Sequence, residues 1–121
     1  MIQRNISLKQ YSNYKIGGEA RFFSIVKNEN ELIDDLKFAQ EKKLPIYILG
    51  GGTNILINDS QIDGLVIKIE ISGIEKSGEE VIAGAGTLMR DLVSFTVQSS
   101  LLGLEWAGGL PGSLGGAIYG N

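Results

Sequence analysis

The chain has 121 residues, 43% of them apolar, and a formal charge of −3, which fits one soluble globular domain and leaves no basic stripe for nucleic acid. It has no cysteine and no histidine, so structural zinc, disulfides, thiol nucleophiles and imidazole chemistry are excluded within this chain. No apolar run approaches the roughly 20 residues that span a bilayer, and Met1–Gln10 carries no signal-peptide pattern, so a cytoplasmic protein without a membrane partner is expected.

In chain order, "ARFFSIV" (Ala20–Val26) predicts a strand, being rich in β-branched and aromatic residues. Asn28 and Glu31 form a capping-box pattern that opens a helix. Leu32, Ile33, Leu36 and Ala39 recur at helical spacing and are expected to face a core. Lys42 and Lys43 suit the C-terminal end of that helix, and Pro45 stops it. "IYIL" (Ile46–Leu49) is a short apolar strand. Strand, helix and strand make a βαβ-like unit with an expected parallel pair.

"GLVIKIEI" (Gly64–Ile71) predicts another strand, and "IEKSGEEVIAGAG" a hairpin turning at Ser77–Gly78. Thr87 is placed to cap a second helix, "LMRDLVSFTVQSS", with Leu88, Leu92, Val93 and Phe95 inward. After Glu105 the chain carries no charge. Trp106 and Tyr119 are expected in the core.

Glycine is the unusual feature. Seventeen are present, and nine of them lie from Gly84 to Gly120, so the richness is local. Three clusters stand out: "LGGGTNILI", "GAGTLM" and "GGLPGSLGG". Backbone without Cβ can take positive φ and approach a ligand closely, and successive N–H groups can converge on an anion. Each cluster alone also reads as a tight turn or a close crossing of backbones. The first lacks the lysine of a P-loop, and "NILIND" after it reads as extended chain rather than the helix of a Rossmann fingerprint. In the third, Pro111-Gly112 sets a turn and Ser113 can cap a helix whose N-terminus would offer free N–H groups to an anion. A long ligand with a diphosphate, such as a dinucleotide, would use several such loops.

"NYKIGGEARFF", "LGGGTNILI", "AGAGTLMRDLV" and "GLEWAGGLPGSLGGAIYGN" together resemble, in order, the N-terminal FAD-binding part of the UDP-N-acetylenolpyruvoylglucosamine reductase (UDP-N-acetylmuramate dehydrogenase) family. The resemblance runs from about Asn13 to the last residue. It implies an α+β fold, the FAD-binding domain of p-cresol methylhydroxylase and vanillyl-alcohol oxidase type. Two small α+β subdomains are then expected, one over about residues 1–70 and the start of a second over about 71–121. Family enzymes relay a hydride from NADPH through FAD to an enolpyruvyl UDP-sugar, giving UDP-N-acetylmuramate for peptidoglycan. By motif, cofactor contacts would come from Leu49, Gly50, Gly51, Gly52, Thr53, Asn54, Ile55 and Leu56, and from Gly84, Ala85, Gly86 and Thr87. A third set would be Gly109, Pro111, Gly112, Ser113, Gly115, Gly116, Ala117, Tyr119 and Asn121.

With no histidine or cysteine, FAD is expected to be noncovalent, and no metal is expected. No obligate protein partner is inferred; the small-molecule UDP-sugar is the partner that the resemblance implies for the full-length enzyme. The family's catalytic arginine, serine and glutamate would lie beyond Asn121; neither Arg90 nor Ser113 matches them. The chain therefore reads as a fragment, without its substrate domain and inactive alone. The alternatives are another FAD-linked oxidoreductase of the same fold, or an inert module that keeps the fold only.

Overall fold

The structure is a computed structural model, and it describes residues 1–11, 17–51 and 61–120. Strands β1 (Gln3–Ser7), β2 (Glu19–Val26), β3 (Ile46–Leu49) and β4 (Ile62–Ile69) form one sheet in the order β1-β2-β4-β3. β1 is antiparallel to β2, and β4 runs parallel to both of its neighbours. Helix α1 (Glu29–Lys42) connects β2 to β3. The expected strand–helix–strand unit is present, but its two strands are not paired with each other. β4 enters between them, with Phe23 and Tyr47 both opposite Val66. Central placement explains the apolar run of β4, since Gly64–Ile67 are all buried.

The sheet has a core on each face. Leu8, Ala20, Phe23, Leu49 and Val66 make one; Phe22, Val26, Ala39, Leu65 and Ile67 make the other, with Leu32 and Phe38 of α1 packed on it. Tyr11 stacks on Phe23 at 4.7 Å, and Phe38 meets Phe22 edge-on at 5.4 Å. The Asn28 side chain accepts from the Glu31 N–H at 2.9 Å, as a cap should. The Glu31 carboxylate reaches back one residue further than the capping box requires, to the Lys27 N–H at 2.7 Å. Lys43 closes the helix in the left-handed conformation.

The buried face of α1 is only in part the one expected. Leu32 and Ala39 face the core as expected, but Ile33 and Leu36 are exposed and Asp35 is buried. Spacing alone could not separate two stripes one residue apart, and the aromatic contact of Phe38 with Phe22 selected the second. Among the described residues, Asp35 Oδ2 and Ser24 Oγ are buried side-chain atoms without a hydrogen-bond partner. Ser24 alternates with Phe22 and Val26, so it points to the same side of the sheet. Asp35→Ala is therefore expected to raise stability by about 1 kcal/mol, because it removes an unsatisfied buried oxygen and improves helix propensity. A lower urea midpoint for that variant would contradict this account.

The second half contains β5 (Ile74–Ser77), β6 (Glu80–Ala83), α2 (Met89–Gln98) and α3 (Leu114–Gly120). β5 and β6 form the expected hairpin, with Gly78 at φ +62° in its two-residue turn. A third core gathers Met89, Leu92 and Ala107, with Ile74, Val81, Ala83, Leu114 and Ala117 around them. Leu92 faces inward and Val93 packs against the same core, as expected, while Leu88 and Phe95 are half-buried. Trp106 and Tyr119 are not in the core: they are 75% and 95% exposed. Their neighbours Ala107 and Ala117 take the inward positions instead. Among the described residues, no helix is long and apolar enough to cross a membrane.

Candidate functional site

The three glycine clusters, apart in sequence, meet in space. Gly50 and Gly51 follow β3, and a Cβ on Gly50 would stand 2.9 Å from Ser113 Oγ. One on Gly51 would stand 3.1 Å from Gly112 Cα. Gly115 lies against the second cluster, where a Cβ would come within 3.1 Å of Ala85. Gly50, Gly51 and Gly115 lack side chains where the loops touch because the Ser113 hydroxyl, the Gly112 backbone and Ala85 occupy the space.

The second and third clusters are joined by hydrogen bonds. Leu88 and Ser113 form an isolated antiparallel bridge. The Met89 N–H donates to the Gly112 carbonyl at 2.9 Å, and the Leu114 N–H to the Thr87 carbonyl at 2.8 Å. Leu88 is the N-cap of α2, and Ser113 directly precedes α3, accepting from the Gly116 N–H at 3.3 Å. Each helix N-terminus is thus capped in part by backbone from the loop that leads into the other. The positive ends of two helix dipoles come together at this bridge.

Two expectations are corrected here. Thr87 does not cap α2; its hydroxyl donates to the Gly73 carbonyl at 3.3 Å, and the cap position carries no side-chain bond. The first turn of α2 finds its acceptor across the bridge instead, at Gly112. Nor does α3 offer free N–H groups at its start. Leu114, Gly115 and Gly116 donate to Thr87 O, Ala85 O and Ser113 Oγ. An anion at this joint must be held by other donors.

The remaining residues fall in several places. Leu49 is buried in the first core, which leaves only its backbone toward the joint. Gly84 and Gly86 press on the backbone of Glu70–Ser72, and their N–H groups donate to Gly73 O and Ile71 O. Their lack of Cβ is required by that crossing. Ala85 and Pro111 are exposed, and Gly112 takes φ +90°. A Cβ on Gly109 would meet nothing within 4 Å, and Tyr119 points into solvent. Gly52, Thr53, Asn54, Ile55, Leu56 and Asn121, with the extended reading of "NILIND", lie outside the described residues. The carbonyls of Ile71 and Gly73 hold the second cluster, and no motif marks them beyond Gly73, which takes φ +129° at that turn.

The model of the family described as FAD binding domain matches residues 20–121. The chain belongs to that family. It is also similar to curated relatives named UDP-N-acetylenolpyruvoylglucosamine reductase. That of Clostridium botulinum (strain Alaska E43 / Type E3) is 36% identical, over 99% of this chain and 40% of the relative. That of Lactobacillus acidophilus is 40% identical, over 99% of this chain and 41% of the relative. Among solved structures, the UDP-N-acetylenolpyruvylglucosamine reductase of Thermus caldophilus superposes with a TM-score of 0.73 at 29% identity, covering 98% of this chain and 42% of that one. The chain thus spans about two fifths of the length of the relatives it matches.

For an FAD binding domain the joint has suitable chemistry. It is faced by glycine backbone, the hydroxyls of the buried residues Thr87 and Ser113 and two helix N-termini, with no carboxylate among Gly50, Gly51, Gly84–Thr87 and Gly112–Gly116. Nothing there requires a metal, and among the described residues no three His, Cys, Asp or Glu side chains gather to hold one.

Proposed function

We propose that this chain is the FAD-binding part of an NADPH-dependent cytoplasmic reductase that converts the enolpyruvyl ether of UDP-N-acetylglucosamine to UDP-N-acetylmuramate for peptidoglycan. The observation that carries the reading is the meeting of Gly50–Gly51, Ala85 and Gly112–Gly115 at the paired N-termini of α2 and α3. Such a joint offers the diphosphate of a dinucleotide a close approach to glycine backbone at Gly50, Gly51 and Gly112, while the first N–H groups of α3 stay bonded within the joint. The names of the relatives supply the reaction class. When bound, FAD supplies hydride relay; the residues of this chain bind and orient it. Gly50 to Leu56 would hold the diphosphate and ribose region, Gly109 and Pro111 to Ala117 would wrap the diphosphate and the flavin side, and Gly84 to Thr87 would flank the second strand pair where it faces the cofactor.

With no histidine or cysteine in the chain, FAD is expected to be noncovalent. FAD added to the purified chain should show quenched flavin fluorescence, and acid denaturation followed by filtration should return all flavin to the filtrate. Flavin kept on the protein would refute noncovalent binding. Absence of any flavin binding would refute the functional reading. The chain alone is expected not to oxidise NADPH in response to the UDP-sugar, and activity there would overturn this division of labour.

A further inference from the structure

The turn just before the third glycine cluster takes no part in the joint, yet it carries two of the large exposed apolar side chains among the described residues. Leu102 is 92% exposed and Trp106, the only tryptophan, 75% exposed. They flank Gly103, which takes φ +115°. Both backbone groups of Gly103 are held by side chains. Its N–H donates to Glu105 Oε2 at 2.9 Å, and its carbonyl accepts from Trp106 Nε1 at 3.1 Å. Hydrogen bonds from the backbone N–H of Glu105 itself, and then of Gly103, hold the Glu105 carboxyl below the usual carboxylate range. The indole is thus fixed in an outward position before anything touches it. Ordering a large aromatic side chain in advance removes much of the entropy cost of docking, and tryptophan is the residue type that most often dominates interfaces.

We propose that the Leu102–Trp106 turn is a preformed anchor for polypeptide equivalent to the larger part of the reductase relatives, the part that this chain does not match. The proposal rests on the family reading given above. Three observations select this occupant. The matched relatives carry more than half of their length outside the match, so such polypeptide exists beside this domain in those proteins. No lysine or arginine follows Arg90, so the turn itself carries no basic residue of the kind a lipid surface or nucleic acid would need. The exposed Glu105 carboxylate is engaged by the Gly103 N–H, and beside it the Leu102 and Trp106 side chains form an exposed apolar surface of the kind that packs into a protein pocket.

The test joins residues 1–121 to the unmatched part of the Lactobacillus acidophilus relative and labels surface side chains by hydroxyl-radical footprinting. Three samples are compared: the chain alone, the chain with excess FAD, and the fusion. Labelling of Leu102 and Trp106 is expected to fall by about fivefold or more in the fusion only, as for the core of an interface. Equal labelling in a fusion that binds FAD would overturn the proposal and leave the functional reading intact. A fusion that folds and binds no FAD would instead sink the functional reading. Protection by FAD alone, or protection in the chain alone that grows with its concentration, would assign the turn to ligand or to a second copy, and would also overturn it. The intact relative is footprinted over the segment aligned with residues 102–106, so the result does not hang on the fusion folding. Heavy labelling there refutes the proposal, and protection supports it.

Discussion

Gly84→Ala is expected to destabilise the chain by about 3 kcal/mol or more, enough to unfold much of it at ambient temperature. The new Cβ would lie on the Ile71 carbonyl oxygen, well inside contact distance, and also 2.8 Å from Ile71 C and 3.0 Å from Ser72 Cα. These are backbone atoms, and they have nowhere to retreat. Ile71 packs against the second core, and its carbonyl is held by the Gly86 N–H at 2.7 Å. The Gly84 N–H is itself bonded to Gly73 O at 3.0 Å. Shifting the crossing would break both bonds and drag the second glycine cluster away from α3. Gly109→Ala is the contrast, because its Cβ would enter open space and its φ is ordinary. That change should stay within about 0.5 kcal/mol of the parent. Urea unfolding followed by circular dichroism reads both variants. A loss below about 1 kcal/mol for Gly84→Ala would show that the crossing is looser than described.

The contrast bears on how far glycine can be read from sequence. "GAGT" and "GGLPGSLGG" look alike as strings, but their glycines answer to different neighbours. Gly84 and Gly86 make room for residues 70–72, Gly115 makes room for Ala85, and Gly109 makes room for nothing among the described residues. A short motif carries no record of which distant backbone will press on it. The same limit explains the sheet. β2, β4, α1 and the hairpin were legible because alternation, capping and turn residues are local signals. The insertion of β4 between β2 and β3 was not, since pairing order is a long-range choice. β1 was missed because "QRNIS" is mostly exposed and polar; it is held by pairing with β2, with Arg4 opposite Phe22 and its guanidinium 5.4 Å from that ring. Capping of α2 by Gly112, rather than by Thr87, is a tertiary bond that no spacing rule contains. Trp106 and Tyr119 fail for a different reason. Their large aromatic rings favour burial, and the described residues leave both rings largely exposed.

Whether the joint of loops acts as one unit can be measured by a double-mutant cycle between Gly50 and Ser113. Gly50→Ala places a Cβ 2.9 Å from Ser113 Oγ. The obstacle is a hydroxyl, which can rotate away, but only by giving up its bond to the Gly116 N–H at 3.3 Å. The expected cost is therefore close to that of losing a cap, about 1 kcal/mol. Ser113→Ala loses the same cap and costs about 1 kcal/mol by itself. In the double variant the clash is gone and the cap has already been lost, so the total should match Ser113→Ala alone. That gives a coupling of about 1 kcal/mol between residues 63 positions apart in sequence, from 50 to 113. FAD titration adds a second readout. If Gly50 and Ser113 share the wall of the cofactor site, Gly50→Ala should raise the FAD dissociation constant by about tenfold. The double variant should recover part of that loss, because the space that the new methyl takes from the hydroxyl is free again. Additive stability losses would show that the two loops do not touch in solution. Coupled stability with unchanged FAD affinity would keep the packing as described and move the diphosphate away from this joint.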